Sequence, residues 1–178
     1  TIINGTVANQ SSWIGSEVGS IGNVTVSGPS ASWIMQSNLT VGRGGTGSLT
    51  VDSGGYIQSD FGVVGDAFGS YGSVLLTGTG TRWDMLLGLN IKNGAIQILN
   101  GATLSVAFGT IVLSEGSQLR GNGTVEGDVL NFSEVLPGDG IGTLAIDGSY
   151  EQIGLTPGFG SESGTLLIEM NATGHDVL

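Results

Sequence analysis

Aliphatic residues recur at alternate positions behind a glycine along the chain, in the pattern Gly-x-aliphatic-x-aliphatic. Residues two apart on a strand point to the same face, so each copy predicts a short strand with one apolar face. A further, imperfect copy at Gly123 has Gly127 in place of its second aliphatic residue. The seven complete copies begin at Gly22, Gly47, Gly72, Gly94, Gly109, Gly142 and Gly164.

The spacing of these copies indicates a repeat. The first three, at Gly22, Gly47 and Gly72, are evenly spaced. A period twice as long overlies them, since "IGSEVGSIGNVTVSGPSASW" (14–33) matches "VGDAFGSYGSVLLTGTGTRW" (64–83). After Gly94 the spacing becomes shorter and irregular. One such strand cannot bury its apolar face alone, but stacked equivalent strands bury a continuous column.

We therefore predict an all-β fold, a right-handed, single-stranded parallel β-helix (β-solenoid) of about eight rungs or more. Residues 1–178 form one β-helix unit, with regular, wide coils over 1–92 and shorter, irregular coils over 93–178. The main alternative is an antiparallel sandwich, which also has short strands and regular turns. The equal spacings favour the solenoid, because a sandwich does not need equivalent strands.

Composition narrows the class of protein. With 39% hydrophobic and only 11% charged residues, the chain differs from a disordered one. Its net charge of −11 disfavours nucleic acid and anionic membranes as partners. The sequence has no Cys and no apolar run long enough for a membrane-spanning helix, so we expect neither disulfides nor membrane insertion. Because it begins at Thr1 without a signal segment, we expect an excised piece of a longer protein.

The residues capable of catalysis form no recognisable constellation. His175 is the single histidine, has no triad pattern around it, and is interpreted as a rung or turn residue. The carboxylates Asp60, Asp66, Glu126 and Asp128 are interpreted as solvated turn residues, because basic partners are few. A polysaccharide-acting enzyme remains an alternative, since some parallel β-helices cleave acidic polysaccharides with calcium. We predict no enzyme, and no catalytic residue, metal or cofactor.

Two tryptophans, Trp33 and Trp83, occupy equivalent positions of the longer repeat. One interpretation is a plug that packs against the neighbouring coil. The other is a surface ladder that binds sugar or protein, with Arg82 and Asp84 beside Trp83. These four residues are the candidate binding residues.

The repeats resemble the autotransporter-associated repeats in passenger domains of bacterial type V autotransporters. The matching stretches of the first half are "VSGPSASW" (26–33), "LTVG" (39–42) and "GSLTVDSGG" (47–55). Those of the second half are "GNGTVEGDVLNFSEVLPGDGIGTLAIDGSYEQ" (121–152) and "GTLLIEMNATGHDVL" (164–178). The resemblance covers nearly the whole chain.

The resemblance implies a secreted or cell-surface location in a Gram-negative bacterium, next to a translocating β-barrel outside this chain. It also implies a binding function: adhesion to a host cell-surface protein, matrix or glycan, or self-association between bacteria. A released passenger acting as a soluble ligand of a host receptor is the second possibility. The absence of Cys fits this secretion route, since disulfide-bonded segments pass poorly through a narrow barrel.

Overall fold

The computed structural model describes residues 1–138, 140, 142–153, 165–166, 170–171 and 174–175. Their regular structure is entirely β. The strands in chain order are β1 (Ile2–Ile3), β2 (Thr6–Asn9), β3 (Ser12–Ile14), β4 (Ile21–Ser27), β5 (Ser32–Met35), β6 (Asn38–Val41), β7 (Thr46–Asp52), β8 (Tyr56–Val64), β9 (Tyr71–Thr77), β10 (Arg82–Ile91), β11 (Gly94–Leu99), β12 (Thr103–Leu113), β13 (Gln118–Gly121), β14 (Thr124–Asn131), β15 (Glu134–Pro137), β16 (Ala145–Asp147), β17 (Tyr150–Gln152), β18 (Thr165–Leu166), β19 (Met170–Asn171) and β20 (Gly174–His175).

The chain alternates between two sheets as it winds. Sheet A has the order β1-β4-β7-β9-β11-β13-β15-β18. Sheet B has the order β16-β14-β12-β10-β8-β5-β2, with β17 beside β14 and β6 between β3 and β8. The strand pairings within both sheets are parallel. This confirms the parallel β-helix and excludes the antiparallel sandwich. Beyond the two sheets, β19 and β20 pair antiparallel.

The first turns follow the sequence repeat. Val26 pairs with Val51, and Val51 pairs with Leu76, so each turn advances by one interval of the repeat. Leu49 and Val51 are buried, whereas Thr50 and Asp52 between and after them are partly exposed, as the alternation predicts.

The predicted count of eight rungs or more was wrong, because the described chain winds about six turns from β1 to β15. The patterns at Gly109 and Gly123 belong to β12 and β14, and the one at Gly142 leads into β16. All three strands lie in sheet B, on turns that already have a strand in sheet A. One turn of the helix can therefore contain two copies of the pattern, so the number of copies exceeds the number of turns.

The first coils after Gly94 are shorter, but less so than the glycine spacing suggested, and the last described step in sheet A, from Val135 to Leu166, is longer than any before it. Leu104 pairs with Trp83 on one side and with Val125 on the other, in two equal steps. Each of these steps is shorter than the step from Val26 to Val51, yet longer than the interval from Gly94 to Gly109. The shortest step in sheet A joins Leu119 to Val135.

The core is a set of apolar columns between the sheets. On sheet B, consecutive rungs contribute Trp33, Ile57, Trp83, Leu104 and Val125, and the column ends in the exposed Val7 and the partly buried Ile146. Each alternate residue on the same strands faces outward, so the outer surface of sheet B is free to carry other chemistry. No helix in the described part of the chain is long and apolar enough to cross a membrane.

Candidate binding groove

A groove of about 300 Å³ lies on the outer face of sheet B. Strands β8, β10 and β12 form its floor and hold outward residues in register. Its lining includes Tyr56, Gln58, Asp60, Arg82, Asp84, Leu86, Ser105 and Ala107. The groove is thus built across three successive turns of the helix.

Irregular strand pairing shapes one edge of this groove. The register between β10 and its neighbours shifts between Met85 and Gly88, and the register between β12 and β14 shifts between Ser105 and Thr110. An extra residue in one strand bends it and redirects side chains, and two residues at these bulges, Leu86 and Ala107, form an apolar margin beside the polar floor of the groove. Leu87 and Phe108 are also exposed at the bulges but do not line the groove.

Arg82 organises the polar floor. Its guanidinium donates two hydrogen bonds to Glu126, Nη2 to Oε2 at 2.6 Å and Nη1 to Oε1 at 3.2 Å. Its Nε also contacts the Asp84 carboxylate, which accepts a hydrogen bond of 3.2 Å from the Tyr56 hydroxyl. Paired guanidinium–carboxylate hydrogen bonds fix geometry as well as charge. The four side chains therefore form one connected network that remains about one-third exposed at Arg82.

The pKa shifts in the network favour the charged forms of Arg82 and Glu126 and the neutral form of Tyr56. The hydrogen bond from Arg82 holds the pKa of Glu126 below its usual value. The same hydrogen bond, against partial burial, raises the pKa of Arg82. Burial, followed by the nearby Asp84 charge, raises the pKa of the Tyr56 hydroxyl. The network thus joins a guanidinium, two carboxyl groups and a phenol, and Asp60 adds a further carboxyl group to the groove.

The four candidate binding residues predicted from the sequence lie on opposite faces of sheet B. Trp33 and Trp83 lie inside, 7% and 0% exposed. Their indole N–H groups donate to Asn9 Oδ1 at 2.9 Å and to Ser59 Oγ at 3.1 Å. Both tryptophans therefore pack against neighbouring coils inside the helix. Arg82 and Asp84 lie outside, in the groove.

The solvated-turn interpretation of the carboxylates needs correction. Glu126 and Asp128 lie on β14, and Asp60 lies on β8. Glu126 is paired with Arg82, and Asp66, which does lie in a turn, is paired with Lys92 Nζ at 2.7 Å. Two of the four basic residues, Arg82 and Lys92, thus lie against Glu126 and Asp66, because the turns bring residues that are distant in sequence onto nearby rungs.

Sequence reasoning missed Tyr56, Gln58 and Glu126 as site residues. Glu126 is far from Arg82 along the chain, and only the register of β10, β12 and β14 brings them together. The signal available in the sequence is the outward position of these residues. Tyr56 and Gln58 lie on either side of the buried Ile57, and Glu126 follows the buried Val125. Within the described residues, no three carboxylate or histidine side chains are placed to hold a metal ion. The side chain of His175 lies outside the described residues.

Comparison with known proteins does not identify this chain. No family model matches it, and neither a curated protein nor a solved structure matches it.

Proposed function

We propose that this chain is a binding module exposed on a bacterial surface or secreted, the passenger part of a type V autotransporter. In this proposal the groove on sheet B attaches the bacterium to a host cell-surface protein, matrix component or glycan. The observation that carries it is the connected network of Tyr56, Arg82, Asp84 and Glu126 on an otherwise regular solenoid.

Several features support binding as the function. An aromatic ring, planar polar side chains and an apolar margin converge in one concave site, as in small-ligand sites generally. The groove lining holds two carboxyl groups, Asp60 and Asp84, and one guanidinium, which is itself paired with Glu126 on β14. The groove therefore suits a polar ligand that is neutral or positively charged. Support for the passenger assignment comes from the resemblance in 26–55 and 121–178 and from the parallel β-helix.

The direction of the pKa shifts supports binding over proton transfer. A general acid or base works best with a pKa near the operating pH. The pKa values of Arg82 and Tyr56 are moved upward and that of Glu126 downward, in each case away from neutrality. Such groups serve as fixed donors and acceptors.

The first experiment measures binding of the labelled, purified chain to host cells, matrix proteins and a set of neutral and charged glycans. Arg82→Met and Asp84→Asn should each weaken binding by at least about tenfold, the typical effect of removing one partner of an interfacial charge pair. The matched control is Glu151→Gln, an exposed carboxylate on β17 outside the groove, which should bind like the wild type.

Each other outcome rejects part of the proposal. Binding that is indifferent to both groove variants would place the binding face elsewhere. Turnover of acidic polysaccharides in the presence of calcium would make the protein an enzyme instead. Receptor phosphorylation in host cells by soluble chain alone would favour the soluble-ligand function.

The secretion route has its own test. The chain is fused in front of a type V translocating β-barrel and expressed in a Gram-negative host. We expect the chain to reach the cell surface and to become accessible to added protease on intact cells. Retention in the periplasm, with the same barrel exporting a known passenger, would contradict the passenger assignment.

A further inference from the structure

The turns that lead from sheet B back to sheet A alternate in length along one corner of the helix, which we call the return corner. The turns at 15–20 and 65–70 have six residues, those at 42–45 and 114–117 have four, and those at 92–93 and 132–133 have two. The first, third and fifth turns are thus each longer than their neighbours, and turns of the same relative length recur every second rung. With strands about 4.8 Å apart, this period is about 10 Å. Successive turns comprise residues 15–20, 42–45, 65–70, 92–93, 114–117 and 132–133.

The three long turns share one conformation. Each ends in Gly-Ser, and the serine N–H bonds the carbonyl three residues earlier, at 3.0 Å for Ser20, 3.0 Å for Ser70 and 3.1 Å for Ser117. The serine hydroxyl donates to the same carbonyl at 2.7 Å in each. The preceding glycine has φ between 76° and 83°, a conformation that favours glycine. These hydrogen bonds hold the three turns in one conformation, and we call the turns the projections of the return corner.

Apolar side chains stand on the first two projections. Val18 is 92% exposed, and Phe68 at the equivalent position is fully exposed. Ile21 and Tyr71 begin the strands that follow and are also exposed. An exposed apolar group that recurs with the period of the fold is typical of an interaction surface rather than of scattered surface hydrophobics.

The short turn between these projections is recessed. Gly44 and Gly45 lie against the preceding long turn, and a Cβ on Gly45 would come within 2.3 Å of the Ser20 carbonyl oxygen. Only backbone fits there. The return corner therefore has a notch between the projections of Val18 and Phe68.

Charge follows the same alternation. The first two long turns carry Glu17 and Asp66, and the two short turns that follow them carry Arg43 and Lys92. These two cations are half of the four basic residues in the chain. All four charged side chains are exposed, with Lys92 bonded to Asp66 within the chain and Arg43 over the Trp13 ring at 4.8 Å. Acidic apolar projections thus alternate with basic notches.

We propose that the return corner binds a second copy of this chain, antiparallel, with the projections of each copy set into the notches of the other. A two-fold axis between the second and third turns brings the first turn opposite the fourth and the second opposite the third. Glu17 then faces the partner's Lys92, and Asp66 faces the partner's Arg43. In this register each of the four charges lies opposite a charge of the other sign on the partner, in addition to the Lys92–Asp66 pair within each copy. A two-fold interface of this kind closes on itself. The proposal concerns a surface separate from the groove and does not depend on the function proposed for it.

The first test measures self-association of the 178-residue chain by sedimentation over a wide concentration range. The wild type should form a dimer, and Phe68→Ser should weaken dimerisation by at least about tenfold, as loss of a central aromatic anchor typically does. Phe108→Ser is the matched control, since Phe108 is also exposed but lies at the bulge of β12. A chain that stays monomeric, or a dimer equally sensitive to both changes, would overturn the proposal.

Charge reversal tests the pairing. Glu17→Lys and Lys92→Glu should each weaken the dimer, whereas the double variant restores opposite charges across the axis and should recover most of the affinity. Circular dichroism and the unfolding midpoint confirm that each variant is folded. Double-variant affinity no better than that of the single variants would refute the predicted contact.

The register has a direct test, because the chain has no other cysteine. Ala67 lies next to the proposed two-fold axis, so the Ala67→Cys variant should form a disulfide-linked dimer under mild oxidation. Glu115→Cys, on the third projection, faces no turn in this register and should remain unlinked. Preferential linking through position 115 would exclude this antiparallel arrangement.

Discussion

The inner and outer faces of sheet B differ in the kinds of residue they carry, although they belong to the same strands. The inner column is constrained by the rungs above and below it, whereas each outer residue faces solvent. Inside, successive rungs present Trp33, Ile57, Trp83, Leu104 and Val125, all apolar and buried. Outside, the neighbouring column changes from Ile34 to Gln58, Asp84, Ser105 and Glu126.

This difference separates stability from recognition. Burying a large apolar side chain contributes about 1.5–3 kcal/mol, while an exposed ion pair contributes about 0–1 kcal/mol. Arg82, Trp83 and Asp84 are consecutive, yet changes at Trp83 should affect folding and changes at its neighbours should affect ligand binding.

The largest expected effect is that of Trp83→Ala. Trp83 is completely buried between Ile57 and Leu104, so its loss leaves a cavity and should lower the free energy of unfolding by about 3–5 kcal/mol. Trp33→Ala should cost less, because the next rung toward the N-terminus carries the exposed Val7. Urea denaturation measures both. A loss below about 1 kcal/mol at Trp83 would contradict the assignment of this column as the core. Equal losses at both positions would contradict the predicted difference between the central rung and the rung beside Val7.

A smaller effect is expected where sheet A meets the return corner. A Cβ on Gly72 would lie 2.3 Å from the Val41 carbonyl oxygen and 2.8 Å from the Gly65 nitrogen. Because these are backbone atoms, Gly72→Ala forces a shift and should cost about 1–3 kcal/mol. Gly5→Ala is the control, since its nearest contact would be 3.7 Å, and should change the unfolding free energy by less than about 0.5 kcal/mol. Similar losses of unfolding free energy for both variants would mean that the backbone around Gly72 can move to accommodate a Cβ at little cost.

The alternation of residues was enough to predict the columns and the solenoid. Leu49 and Val51 are buried because their spacing matches the two-residue period of a strand, and this needs no tertiary information. The number of turns was not predictable in the same way. Both sheets use similar strands, so Gly109 and Gly22 carry the same pattern although they lie in different sheets.

The groove depended on information that the pattern does not contain. The contact between Arg82 and Glu126 requires the length of two intervening turns. The apolar margin of the groove requires the bulges after Met85 and Ser105. The alternation in turn length at the return corner became visible only with the strand boundaries. The conformation that the three longer turns share is easier to predict from the sequence than their lengths are. Its signal is the shared Gly-Ser ending of "EVGS" (17–20), "AFGS" (67–70) and "SEGS" (114–117).

The smallest expected effect concerns the outer face and its dependence on pH. The Arg82 hydrogen bond lowers the pKa of Glu126 in the folded chain. A carboxyl group with a lowered folded pKa stabilises the fold above its unfolded pKa, and this contribution disappears as the pH falls through the folded pKa. Glu126 is partly exposed, so at neutral pH Glu126→Gln should cost no more than about 1 kcal/mol.

Unfolding free energies of wild type and Glu126→Gln, measured from neutral pH into acid, should therefore converge as the pH falls below the folded pKa of Glu126. High salt provides the control, because a Debye length of about 3 Å at 1 M should also reduce the difference at neutral pH. A difference that grows on acidification would mean that Glu126 stabilises the fold as a protonated acid, and the charged network of the outer face would have to be abandoned. Convergence together with weaker ligand binding by Arg82→Met would confirm that the outer face contributes to recognition while the inner face carries the stability.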